Sequence, residues 1–117
     1  MEEIKENKIY VKRLKPNRKI NLNKSVIKVE AKWCGACQNN KSKYENIAFK
    51  NQNISFYRVD IDVFSKEKSS EKIINKIISE TASLPTFYFI QNEKVVGKIK
   101  GYDSKKFQQN LDKLINE

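Results

Sequence analysis

The stretch Ser25-Val26-Ile27-Lys28-Val29-Glu30-Ala31-Lys32-Trp33-Cys34-Gly35-Ala36-Cys37 decides the fold. Its first seven residues alternate: Ile27, Val29 and Ala31 share one face, and Val26, Lys28 and Glu30 share the other, a strand with one clearly apolar face. From Cys34 the spacing turns helical, with Cys37, Tyr44, Ile47 and Ala48 on one side and a Lys/Asn-rich outer side. Two cysteines three residues apart therefore stand where a strand gives way to a helix. At that spacing two thiols can approach closely enough to close a small disulfide ring. The first lies beside unpaired backbone N–H groups at the positive end of the helix dipole, and both effects stabilise its thiolate. The second, one turn further in, is better shielded and suited to resolving a mixed disulfide. Half of a zinc site shared between chains, or two buried cysteines that only pack, are the alternatives. The strand-to-helix setting favours redox chemistry over both.

Composition narrows the chemistry further. The chain has 117 residues with no His and only two Cys. That excludes Ser-His-Asp and Cys-His machinery, His-ligated metal or haem, a four-thiolate metal site within one chain and a disulfide framework. Chemistry must come from two thiols, carboxylates or lysine, and no metal is expected. The length suits a single domain over residues 1–117, with residues 1–23 a basic N-terminal extension that holds a short β-prone run, Ile9-Tyr10-Val11. The charged start Met1-Glu2-Glu3-Ile4-Lys5-Glu6 does not resemble a secretory signal, and no run approaches a membrane span. The expected setting is cytoplasmic, where a Cys pair is catalytic or redox-sensing rather than structural.

The formal charge is +10, and Ile9–Lys28 holds seven basic residues and no acid. Such a stretch could attract an acidic protein, a headgroup or nucleic acid. However, Lys, Asn and Ile together make 48 of the 117 residues, and all three have A/T-rich codons. Coding bias with a solvated surface therefore accounts for most of the excess. No recognition-helix motif or aromatic RNA-binding strand signature accompanies it, which argues against a nucleic-acid partner.

Along the rest of the chain, Ile54–Ile61 is a second β-rich run, and Ile73, Ile74, Ile77 and Ile78 form the stripe of a helix capped by Ser69 or Ser70. Thr86–Ile90 and Val95–Ile99 read as a hairpin turned at Asn92-Glu93. Asp103 or Ser104 caps a last helix with Phe107, Leu111, Leu114 and Ile115 inward. The order β, β, α, β, α, β, β, α predicts an α/β fold in which an early β–α–β unit makes a parallel pair and the hairpin an antiparallel edge.

These residues together resemble the thioredoxin family from about Lys24 to the C-terminus: Trp33-Cys34-Gly35-Ala36-Cys37 after a strand, Val59-Asp60-Ile61-Asp62 ending the next, Ser83-Leu84-Pro85-Thr86-Phe87, and Gly101 after the hairpin. The resemblance implies a thioredoxin fold, a central mixed β-sheet flanked by α-helices, with Pro85 cis and facing the cysteines. It implies that backbone groups of Leu84 pair with an extended substrate segment, with Trp33 and Gly101 as further walls and Gly35 and Ala36 completing the active-site loop. Four positions depart from the family. Gly35-Ala36 is neither the Gly-Pro of typical thioredoxins nor the Gly-His of disulfide isomerases. Lys28 stands where a buried acid helps deprotonate the resolving thiol. Glu30, on the same face, is a candidate for that proton transfer; a buried Lys28 would favour the Cys37 thiolate directly, and a Lys28 that snorkels to solvent would do neither. The segment from Asp62 to Pro85 resembles an insertion that lengthens the isoleucine helix, and Ser42 replaces a kinking proline.

The expected function is a thiol–disulfide oxidoreductase in which Cys34 attacks a protein disulfide and Cys37 resolves the mixed disulfide. It works as a thioredoxin-type reductant and a monomer, needs no cofactor, and has its dithiol restored by a reductase or a low-molecular-weight thiol. The alternative is a redox-inactive binding module that uses the basic N-terminal face for an acidic protein or nucleic acid.

Overall fold

A strand that is apolar on both faces belongs at the centre of a sheet with a layer on each side. Strand β2 (Lys24–Glu30) is such a strand: Ser25 through Val29 are all buried. The computed structural model describes residues 9–116; residues 1–8 of the basic extension lie outside them. The remaining elements in chain order are β1 (Val11–Arg13), α1 (Gly35–Lys50), β3 (Ser55–Asp60), α2 (Ile61–Lys66), α3 (Lys72–Glu80), β4 (Thr86–Gln91), β5 (Lys94–Lys100) and α4 (Ser104–Asn116). The sheet order is β1-β3-β2-β4-β5. β1, β3 and β2 run parallel, and β4 and β5 are antiparallel to their neighbours, so the sheet is mixed as expected.

The two faces carry separate cores. Tyr44 and Ala48 of α1 and Phe107, Leu111 and Leu114 of α4 pack on Val26, Phe56, Phe87 and Phe89. Phe64 of α2 and Ile74 and Ile77 of α3 cover Ile27, Val29, Val59 and Tyr88. The hairpin turns at Asn92 and Glu93, with φ of 49° and 65°, the left-handed pair that a two-residue hairpin turn requires. Gly97 lets α4 lie against the edge strand, because a Cβ there would overlap the Asn110 side chain.

Three details differ from the sequence expectation. The segment after Asp62 is two short helices, not one lengthened helix. Asp60 starts α2 by accepting the Asp62 N–H (2.9 Å), and Ser69 breaks the chain before α3. Neither serine caps α3 through its side chain at the residue before it. Instead Asn75 reaches back, accepting the Ser69 N–H at 2.7 Å and donating to its carbonyl at 2.9 Å. Ile115 is 39% exposed, because Phe107, Leu111 and Leu114 already fill the inner stripe of α4. β1, for its part, pairs with β3 at the sheet edge and so lies within the fold, although the resemblance was traced only from Lys24.

The Phe107 ring meets those of Tyr44, Phe87, Phe89 and Tyr102. Phe107→Ala is expected to lower the unfolding free energy by about 3–5 kcal/mol. Ile115→Ala should cost less than about 1 kcal/mol. Urea titration of both variants checks the pair. A second expectation concerns Lys28, which is 1% exposed and whose pKa is lowered from 10.5 chiefly by burial, with Glu30 opposing. Between that lowered value and 10.5 the unfolded chain binds more protons than the folded one, so this group adds stability as pH rises through the window and withdraws it as pH falls. The stability of Lys28→Met relative to the unsubstituted protein should therefore be greater at pH 7 than at pH 10, by urea unfolding at both.

Candidate active site

β2 ends at Glu30, and Ala31 turns the chain into α1, where the Cys34 N–H donates to the Ala31 carbonyl at 3.2 Å. Cys34 is the N-cap of α1, and its Sγ accepts the backbone N–H of Cys37 at 3.1 Å. The sulfur thus takes the place that a Ser or Asp oxygen has in an ordinary cap, and satisfies an N–H that the helix leaves without a partner. Cys34 and Cys37 are joined as a disulfide with their Cα atoms 5.3 Å apart. Cys34 retains 7% exposure and Cys37 1%, the expected difference between an outer and an inner sulfur. Ala31 completes the cluster around them, with Ile61 and Leu84 packed against it.

The Leu84–Pro85 peptide bond is cis. The Pro85 carbonyl accepts the Gly101 N–H at 2.7 Å, and Gly101 has a φ of 74°, a conformation that favours glycine. Ala36, Leu84, Pro85 and Gly101 line one groove of about 370 Å³ together with Asn39, Asn40, Lys43 and Tyr102. Four of the expected binding residues therefore come together. Gly35 is exposed and does not line that groove. Trp33 also does not: it is 71% exposed, and its Nε1 donates instead to Asp62 Oδ2 at the start of α2 (2.8 Å). The bond to Asp62 holds the indole on the α2 side of the loop.

Lys28 does not reach solvent. Its Nζ donates to the Cys37 carbonyl at 2.9 Å and lies 3.2 Å from Glu30 Oε1. Glu30, with 14% side-chain exposure, has its second oxygen 3.8 Å from Arg58 Nη1. Sequence reasoning missed three contributors: Asp62 as the partner of Trp33, Arg58 as the second cation on Glu30, and Asn40, buried on the groove side of α1. The strand register carries the signal for Arg58, since it pairs directly opposite Lys28. The basic residues Lys12, Arg13, Lys15, Arg18 and Lys19 gather elsewhere, around a hollow floored by Leu14, Ile20 and Tyr57. Among the described residues no cluster of His, Cys, Asp and Glu suits a metal ion, and no helix is long and apolar enough to cross a membrane.

Known proteins share this architecture. The mitochondrial thioredoxin 3 of Saccharomyces cerevisiae, in its oxidized form, superposes with a TM-score of 0.69 at 22% identity, over 89% of this chain and 97% of that one. Thioredoxin from Trypanosoma brucei brucei gives 0.65 at 28% identity, over 82% and 78%. In sequence, the chain is 28% identical to human thioredoxin over 77% of its own length and 78% of that protein. It is 29% identical to thioredoxin H-type 2 of Nicotiana tabacum over 78% and 70%. The TPR repeat-containing thioredoxin TDX of Arabidopsis thaliana is 33% identical across 69% of this chain, which spans only 19% of that longer protein. The family model described as Thioredoxin matches residues 10–115, beginning ahead of β1 and ending within α4. With Cys34 capping α1, Cys37 in its first turn and the family model matched over residues 10–115, the chain belongs to the thioredoxin family.

Proposed function

We propose that the protein is a thiol–disulfide oxidoreductase of the thioredoxin type, reducing disulfides in protein substrates through Cys34 and Cys37. The observation that carries this reading is the position of Cys34 at the N-cap of α1, with the Cys37 N–H donated to its sulfur. A thiolate there gains a hydrogen bond and the positive end of the helix dipole, while 7% exposure leaves it an open side. Cys34 is the nucleophile. Its thiolate attacks one sulfur of a substrate disulfide, a Cys34–substrate disulfide forms, and the other substrate sulfur leaves as a thiolate that takes up a proton. Cys37 then loses its thiol proton and attacks the Cys34 sulfur. The Cys34–Cys37 bond forms and the second substrate sulfur departs, so two electrons have passed from the dithiol to the substrate.

The groove supports the binding half of the reading. Leu84 and Pro85 line it together with Ala36 and Gly101. An extended substrate segment laid there pairs with Leu84 while its half-cystine meets Cys34. Trp33 and Gly35 flank the sulfurs from outside. The chemistry needs no metal and no organic cofactor, since the redox group is the cysteine pair itself. Thioredoxin family members act on disulfide-containing proteins and are reset by a reductase, and this chain takes the same place, as a monomer in the cytoplasm, with a reductase or a low-molecular-weight thiol restoring its dithiol. The basic hollow adds no chemistry to this cycle.

Two variants test the assignment by insulin reduction and mass spectrometry. Cys34→Ser is expected to abolish turnover, and Cys37→Ser to accumulate a covalent substrate adduct on Cys34. Undiminished disulfide reduction by Cys34→Ser would overturn the assignment.

A further inference from the structure

Directly beneath the cysteine pair the chain buries a cation. Lys28 is 1% exposed, and its Nζ bonds the Cys37 carbonyl at 2.9 Å, a direct charged link between the inner end of the active-site loop and the sheet below it. Nζ also lies 5.6 Å from the centre of the Tyr44 ring on α1. The titratable and charged groups around it are Glu30 on its own strand, Arg58 opposite it on β3, and Tyr44 and Lys41 on α1. On β4 its register partner is Phe87, which carries no charge. Tyr44 is held neutral by complete burial, which raises its pKa well above 10.0. The cluster therefore contains three cations and one anion, and the anion is shared between Lys28 and Arg58.

A buried carboxylate behind a thiol opposes ionisation by its charge and assists it by accepting the proton. An ammonium ion does neither of these. It has no lone pair for the proton, but its field favours the thiolate directly, and more strongly inside the protein than in water. We propose that Lys28 is a positioning residue for the second half-reaction: held charged by Glu30, it anchors the Cys37 turn of α1 and stabilises the Cys37 thiolate that resolves the mixed disulfide. The thiol proton leaves to water, and Glu30 keeps the ammonium charged instead of carrying that proton. The inference rests on the exchange reading given above, and it specifies how that reaction's buried sulfur is activated.

The test uses the full chain with Cys34→Ser, so that Cys37 is the sole thiol, and follows its ionisation by thiolate absorbance and pH-dependent alkylation. Burial alone pushes a thiol up from its ordinary value of about 8.5. The expected result is a Cys37 midpoint below that value. Adding Lys28→Met should raise the midpoint by about one unit, or about tenfold less thiolate at pH 7, with Lys28→Gln giving the same direction. With Cys34 restored, collapse of a preformed Cys34 mixed disulfide should slow only about threefold, because a more basic thiolate is also a better nucleophile. A Cys37 midpoint at or above 8.5 in Cys34→Ser alone, or one that does not move in the folded Lys28 variants, would overturn the proposal. Failure of Cys34 to form any mixed disulfide would overturn the exchange reading, and the Cys37 titration would still decide the role of Lys28.

Discussion

Strand β2 has no contact with water along its middle, and most of the molecule follows from that. A strand buried on both faces and paired on both edges cannot slide, since a one-residue slip would exchange its two apolar sets between different cores. Val26 meets the α1/α4 layer, and Ile27 and Val29 meet the α2/α3 layer, so either shift would leave cavities in one layer and crowd the other. The end of β2 is therefore fixed against both layers. Cys34 lies four residues beyond it, at the first turn of the helix that β2 feeds. The position of the reactive sulfur is in this sense a property of the sheet.

Burying β2 this completely costs most at the ammonium of Lys28. Its Nζ cannot snorkel to water, so the fold supplies a carboxylate, a carbonyl and the face of an aromatic ring around it. That arrangement links three elements through one side chain: β2 by its backbone, α1 through the Cys37 carbonyl, and β3 through the Glu30 carboxylate that Arg58 also approaches. The charged cluster lies where the two halves of the active-site loop join the scaffold. A change of charge here acts on the chemistry and on the fold together.

Much of this was legible in the sequence. The strand-to-helix placement of Cys34 and Cys37, the hairpin at Asn92-Glu93 and the stripes of α3 and α4 all come from periodicity and turn chemistry, which are local. The convergence of Leu84, Pro85 and Gly101 on the groove came from the family resemblance. What stayed hidden was non-local. The break between α2 and α3 depends on Asn75 folding back on Ser69, a contact across six residues that no cap rule describes. The Trp33 indole is turned by Asp62, 29 residues away, and spacing alone cannot show which side of the loop it takes. Whether Lys28 is buried was undecidable from the alternation of β2, because a lysine on a half-buried face can reach solvent and one beneath a helix cannot. Register, which places Arg58 opposite Lys28, exists only once β2 and β3 are paired.

The hydrogen bond from Gly101 to the Pro85 carbonyl divides the groove into two kinds of wall. On the β4 side lie Leu84, Pro85 and Gly101, and the bond between Gly101 and Pro85 ties main chain to main chain, so substitution of neighbouring side chains leaves that link intact. On the α1 side it is made of side chains, Ala36, Asn39 and Lys43, that project from a helix whose inner face is already committed to the core. Selection can rewrite those three positions with little effect on folding. The helix wall is therefore free to diverge in shape and charge while the strand wall keeps its outline.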